Sequence, residues 1–134
     1  MSFAQAAKDI ETRFSSNWGS TTRWTVDGDI SFKPPTSGSW VRLNIADGDS
    51  LQVSLGNNPR FRHYGLIVAQ VFVRGDLGAR AARTHADTIA SYYRNVNFGS
   101  PSIYCRAPRL INVGEHDGWY QMNVQIPYYW DQDY

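Results

Sequence analysis

The stretch that most constrains this chain is Leu66–Val73, LIVAQVFV, where both alternating sets of side chains are almost wholly apolar. Leu66, Val68 and Phe72 point one way, with Gln70 their only polar companion. Ile67, Ala69, Val71 and Val73 point the other way. Its β-branched content, its short length and the bounding Gly65 and Gly75 favour a strand over a buried helix. A strand that is apolar on both faces has to be covered on both faces. Leu66–Val73 is therefore expected to be the central strand of the only sheet.

The flanking segments supply what packs around it. Phe3, Ala6, Ala7, Ile10 and Phe14 recur at helical spacing, so Ser2–Ser16 reads as a first helix with Ser2 as its N-cap. Thr21–Asp27 reads as a strand with Trp24 and Val26 on one face. Asp27–Ser39 carries two prolines, two glycines and three serines, and reads as a long loop anchored by Phe32. Such a loop is expected to be mobile in an isolated subunit. Trp40–Ser54 reads as a half-buried hairpin turning at Asp47-Gly48-Asp49. Asp76 and Gly78 offer helix-start chemistry. Residues 78–94 read as a second helix, with Ala79, Ala82, Ala86, Ile89 and Tyr93 facing the sheet. Ile103–Gln125 reads as a last hairpin around Gly114–Gly118, ended by Pro127. The order is helix, strand, long loop, hairpin, strand, helix, hairpin. It predicts one α+β domain over residues 1–134, with a single mainly antiparallel β-sheet and two helices packed against it.

Composition excludes several classes. The 134 residues suffice for a real core. No apolar run reaches the roughly 18–20 residues of a membrane span, and the N-terminus lacks the pattern of a secretory signal. Cys105 is the only cysteine, which excludes an internal disulfide and a cysteine-based zinc site. It reads as a small apolar strand residue, and a reducing, cytoplasmic origin fits best. Charge is distributed in blocks. Residues 60–109 hold eight arginines against Asp76 and Asp87, whereas residues 110–134 hold four acids and no base. Lysine is nearly absent. Arginine is enriched and lysine depleted at protein–protein interfaces. Opposite-signed blocks can also draw copies of a chain together head to tail.

The search for catalytic chemistry is mostly negative. There is no nucleophile elbow, Walker loop or GxGxxG. His63, His85 and His116 do not stand at metal-ligand spacing, and each reads as surface or structural. The triplets Asp27–Asp29 and Asp47–Asp49 do not continue into an EF-hand loop and read as turns. No cofactor and no enzymatic activity are expected. A basic stretch near Phe61, Tyr64 and Tyr92 lacks the lysines and helix-turn-helix pattern of a nucleic-acid binder. An arginine-lined protein surface fits better. Its candidate residues are Arg60 and Arg62 at the entrance of the central strand, Arg74 at its exit, and Arg80 and Arg83 on the following helix. Phe32 and Lys33 in the long loop are candidates for a reach toward a partner.

Four features together resemble a known family. They are Arg60-Phe61-Arg62-His63-Tyr64-Gly65 leading into the apolar strand, and the Gly75–Gly78 turn into a helix holding Ala86-Asp87-Thr88-Ile89. They continue with Val113-Gly114-Glu115 before Gly118-Trp119-Tyr120-Gln121-Met122-Asn123-Val124, and the ending Ile126-Pro127-Tyr128-Tyr129. In order and spacing, over nearly the whole chain, they resemble the tail-terminator (tail-completion) proteins of long-tailed bacteriophages and gene transfer agents. The resemblance implies a homo-oligomer, a hexameric ring on the end of a tail tube. It implies contact with the tail tube protein and with a head-side connector or stopper protein. It also implies a place in the virion, assembled in the host bacterial cytoplasm. DNA passage through the ring without specific binding is compatible with it. The family has no catalytic residues to carry over, and the aromatic, acidic segment after Pro127 has no assigned role. The residues leave open another neck or tail protein, such as an adaptor, stopper or tube protein. They also leave open a ligand-binding domain or small enzyme whose Trp24, Trp40, Trp119 and Trp130 line an apolar pocket.

Overall fold

The apolar stretch forms the C-terminal half of a strand almost twice its length. A computed structural model describes residues 2–19, 21–29, 31–35, 38–75, 77–99 and 102–133. In chain order its elements are α1 (Phe3–Trp18), β1 (Arg23–Val26), β2 (Trp40–Gln52), β3 (Arg60–Arg74) and α2 (Gly78–Tyr93). They are followed by β4 (Asn97–Phe98), β5 (Ile103–Cys105), β6 (Arg109–His116) and β7 (Trp119–Asp133). The seven strands form one sheet in the order β1-β2-β3-β7-β5-β4, with β6 also paired to β7. β3 is its middle, held by β2 on one edge and β7 on the other. The pairings are antiparallel except for β1 with β2, which are parallel, so the sheet is mixed and curls as a half-barrel. Two helices and this sheet make an α+β fold.

Both helices join one core on one face of the sheet. α1 is capped as its sequence dictates: the Ser2 side chain accepts from the Gln5 N–H at 3.1 Å, and Gly19, at φ 56°, donates back to the Ser15 carbonyl. Ala6, Ile10, Phe14 and Trp18, four residues apart, are its buried stripe. α2 begins at Gly78, whose φ is 73°, and buries Ala82, Ala86, Ile89, Ala90 and Tyr93. Asp76 lies outside the described residues. The small alanines let α2 approach the sheet, and the Tyr93 hydroxyl donates to the Ile10 carbonyl at 2.8 Å, tying the helices together. Ile67, Ala69, Val71 and Val73 of β3 and Met122, Val124 and Ile126 of β7 complete this core.

The second face of β3 differs from the expectation of full cover. Leu66, Val68, Gln70 and Phe72 remain only partly buried. Their cross-strand neighbours include Asn44, Arg42, Gln121, Asn123 and Gln125. That face is built for mixed polarity, and neither helix packs on it.

Three boundaries are corrected. The expected hairpin at Asp47–Asp49 is a register shift within one continuous β2. Gly48 has no positive φ, whereas Gly56 stands at φ 112° in the loop where β2 turns into β3. The turn chemistry at 47–49 therefore makes a bulge. The first arm of the expected last hairpin is two strands, β5 and β6, sharing one edge of β7. Finally, Pro127 does not end β7. Its carbonyl accepts from the Arg106 N–H at 2.8 Å. Its ring nitrogen therefore faces that same edge, in the gap between β5 and β6, and no bond to β3 is lost.

Gly65 shows how closely β3 and β7 fit. It pairs with Tyr128, and a β-carbon at position 65 would sit inside the Tyr128 ring. Gly65→Ala is expected to cost about 1–3 kcal/mol through overpacking. The measurement is the urea midpoint, and an unchanged midpoint would show that Tyr128 yields freely.

Candidate assembly surfaces

The register of β3 against β7 decides what the candidate arginines can do. Fifteen residue pairs run from Arg60↔Asp133 to Arg74↔Trp119. The basic entrance of β3 thus lies opposite the acidic end of β7. Arg62 grips Asp131 with two bonds, Nε–Oδ1 at 2.8 Å and Nη2–Oδ2 at 3.1 Å. Arg60 Nε meets Asp133 Oδ1 at 2.8 Å. The two sequence blocks of opposite charge therefore neutralise one another here within the chain. The segment after Pro127, which had no assigned role, is the second half of β7. Its Tyr128 and Trp130 are in the core and its acids pair with β3.

The two ion pairs differ in exposure. Side-chain accessibilities are 52% and 64% for Arg60 and Asp133, against 31% and 19% for Arg62 and Asp131. Water screens the first pair more strongly. The guanidinium of Arg62 also lies 4.4 Å over the Tyr129 ring, which stacks on Tyr104. The hydrogen bond that Arg62 donates to Asp131 raises the pKa of Arg62, and the hydrogen bond from Arg60 holds the Asp133 carboxyl below its usual range.

At the other end of β3, roughly 45 Å along the strand, Arg74 lies 4.6 Å over the Trp119 ring. Phe32 reaches back to Trp40 at 5.3 Å between ring centres, with Arg23 over it, while Lys33 is exposed. Trp40 stacks on Phe72 at 4.2 Å. Arg80 and Arg83 are exposed on α2. The candidate residues thus fall into separate places and do not form one site. The four tryptophans do not line one pocket either. Trp24 contacts Phe14 and Trp130 is in the core beneath the helices, whereas Trp40 and Trp119 meet at the Phe72 stack.

The eleven arginines divide by what their guanidinium groups meet. Arg60 and Arg62 pair with acids, and Arg13, Arg23, Arg42, Arg62, Arg74 and Arg106 lie over aromatic rings. Among the described residues, Arg80, Arg83, Arg94 and Arg109 have neither kind of partner. All four belong to α2, its C-cap or β6, and Arg94 and Arg109 line one cleft with Asp87. On the opposite side of the sheet, Asp47 and Asp49 of β2 are exposed and in no ion pair among the described residues.

These two sides are also where the sheet is open. β1 covers the outer edge of β2 only as far as Leu43, so β2 has no outer neighbour from Asn44 to Gln52 among the described strands. β6 pairs with β7 alone. Leu51, Val53 and Leu55, expected to be half-buried, are 55%, 42% and 93% exposed. Their alternation marks a common face, but no described element covers it.

The remaining titratable groups are structural in placement. His63 is buried between Ser50 and Gln132, against Phe3 and Trp130. His85 packs on Trp18 and its pKa is lowered by burial. Cys105 is buried in β5, and burial pushes its thiol up to about 12. Among the described residues no three His, Cys, Asp or Glu side chains are placed to hold a metal ion. Among the described residues no helix is long and apolar enough to cross a membrane.

No protein-family model matches the chain, and no curated protein matches it. Two solved structures share its fold over nearly its whole length. One carries no functional description. It has a TM-score of 0.76 and 18% identity over 100% of this chain and 98% of its own. The other is a protein of the virion of a native gene transfer agent (GTA) particle, with a TM-score of 0.57 and 14% identity over 98% of this chain and 100% of its own. At these identities the likeness is one of fold: a curled mixed sheet with two helices.

Two outcomes follow for the paired ends of β3 and β7. The folded pKa of Asp133 lies below its unfolded value, so the pair stabilises fully above the ordinary carboxylate range. That contribution is lost as pH falls through the lowered folded value. The urea-midpoint gap between wild type and Asp133→Asn is therefore expected to close on acidification. At neutral pH, Asp131→Asn should lower the midpoint more than Asp133→Asn, because its pair is better shielded from water. Equal losses would contradict this ranking.

Proposed function

We propose that this chain is a structural protein of a phage-type virion or gene transfer agent particle, and that within it the chain serves as a tail terminator. The observation that carries this reading is the end-to-end likeness of fold to a protein of a gene transfer agent virion, which leaves almost no part of either chain unmatched. The sequence motifs from Arg60 to Tyr129 point the same way. We also propose no enzymatic activity.

In this reading copies of the chain close into a ring, a hexamer, on the head-proximal end of the tail tube. A tube grows by heterologous addition, in which each layer offers the next the surface it has just used. A ring that fits the last layer but offers a different upper surface ends growth. That upper surface then receives the head-side connector or stopper protein. DNA passes through the ring without specific contact. The protein resides in the virion and is assembled in the host bacterial cytoplasm.

Arg80 and Arg83 suit a lateral contact, because they are exposed, unpaired and arginine rather than lysine. Reversing both, Arg80→Glu with Arg83→Glu, is expected to weaken the ring and leave the monomer folded by circular dichroism. A ring of unchanged mass at moderate salt would remove these residues from the contact. The position on the tail is tested by electron microscopy of the protein mixed with tail tubes. Rings confined to one end support a terminator. Incorporation along the tube supports a tube protein, and rings that bind heads but not tubes support another neck protein.

A further inference from the structure

We infer that the helix-free face of the sheet is a contact surface for the sugar–phosphate backbone of duplex DNA, held by Arg42 on one flank and by Arg106 and Arg109 on the other. This goes beyond the reading above, in which DNA only passes the chain, and it does not rest on the ring.

Register sorts the charges between the two faces. Arg42 pairs with Gln70, Gln70 with Asn123, and Arg109 with Gln125, so both arginines share the face opposite the helices. Arg106 joins them over the ring of Tyr129, at 5.7 Å. The ladders of β2, β3, β5, β6 and β7 put two acids on that face, Asp131 and Asp133, and each is held by its own arginine. The basic block near Phe61 is therefore not this surface, because its Arg60 and Arg62 are committed to those acids. Asp47 pairs with Gly65 and Glu115 with Tyr120, on the helix side, and Asp49 lies in the bulge of β2. Other acids stand at the rims. Asp27 and Asp29 follow β1, where Arg23 and Lys33 balance them, and Asp117 meets His116 at 3.2 Å at the Arg74 end. Asp87 shares the Arg109 cleft with Arg94. The excess charge of the face is positive and lies at Arg42, Arg106 and Arg109.

Between these flanks the surface is uncharged and rich in carboxamides. Asn44, Gln70, Asn123 and Gln125 fill two adjacent rows across β2, β3 and β7, with Val68 and Ile111 as the apolar members. Carboxamides, like guanidinium groups, donate to phosphate and sugar oxygens. From β2 to β6 is three strand spacings, roughly 14 Å. That is close to the width of the DNA major groove, about 12 Å, so one phosphate strand can lie on each flank.

The rings of this face select duplex over single strand. Arg42 covers Trp40 at 5.2 Å, Arg74 covers Trp119 at 4.6 Å, and Arg62 and Arg106 both lie over Tyr129. A single strand binds by stacking its bases on open aromatic rings, and these rings are occupied. A guanidinium lying over a ring keeps its in-plane donors, so it still meets a phosphate edge-on. The centre of the face argues against a protein partner. Protein interfaces place an apolar centre inside a polar rim, whereas here carboxamides hold the centre and the charges flank it.

The test is binding of the full-length chain to two short DNA duplexes of unrelated sequence, read by fluorescence anisotropy across a salt series. Three phosphate contacts per chain give a log–log slope of about −2.7, an about 40-fold loss of affinity between about 50 and 200 mM salt. Arg106→Gln with Arg109→Gln, both at exposed positions, should keep the circular dichroism of wild type and cut that loss to about 3- to 4-fold. Lys8→Gln, exposed on α1, removes a charge from the helix side and should leave the loss unchanged. Both duplexes should bind alike, and more tightly than either single strand. A wild-type chain that binds no duplex at low salt overturns the inference, as does a double variant with the wild-type slope or a preference for single strand. Polyglutamate bound as tightly as duplex of matched charge assigns the face to an acidic protein and overturns it too. Capping of tail tubes is read separately by microscopy. Capping without DNA binding overturns this inference alone, and DNA binding without capping overturns the terminator reading alone.

Discussion

The structure depends on the pairing of β3 with β7. Fifteen residues of each strand meet in unbroken register. That single ladder aligns Ile67, Ala69 and Val71 with Ile126, Val124 and Met122, and so creates the apolar surface on which both helices settle. A slip of one residue would turn every one of these side chains to the other face. The fit of Gly65 under Tyr128 and the ion pairs at the Arg60 end all act against such a slip. Register is thus fixed by sterics at one point, charge at another and burial along the middle.

Much of this is legible in the residues, and the failures have physical causes. The alternation in Leu66–Val73 marks the middle of the sheet, and the helical spacing of Phe3, Ala6, Ala7, Ile10 and Phe14 marks α1, whose buried stripe runs on to Trp18. Asp47-Gly48-Asp49 misleads because the same residues suit a tight turn and a bulge, and only the partner strand decides between them. Pro127 misleads because its cost depends on which edge its nitrogen faces, which no local pattern records. The parallel placement of β1 is likewise a property of the fold and not of Arg23–Val26. Of the candidate surface residues, Arg80 and Arg83 are exposed as their helical phase requires. Arg60 and Arg62 are committed inside the chain, and this became visible only once Asp131 and Asp133 were seen to share their ladder. The free edges of β2 and β6 are invisible in sequence, since a strand at an edge and a strand inside a sheet share the same alternation.

The choice of arginine over lysine has a common thread. Six arginines lie across aromatic rings, where a planar guanidinium keeps its in-plane donors while covering apolar surface. Those of Arg42, Arg62 and Arg74 lie on the helix-free face of the sheet, over Phe72, Tyr129 and Trp119, and help to keep that face half-buried without a second layer of helices. The arginines left over are then distinctive by position and not by type.

The long ladder also bears on how the chain reaches its native state. β2 and β3 are joined by a short loop, whereas β7 must find β3 across a sequence separation of as much as 73. Local pairing forms ahead of distant pairing, because closing a long loop is entropically slow. For an interval during folding, β3 therefore offers its second edge bare, in the most apolar segment of the chain. Strand β7 does more than complete the native sheet: by occupying that edge it ends the period in which the chain is most prone to associate through the wrong strand.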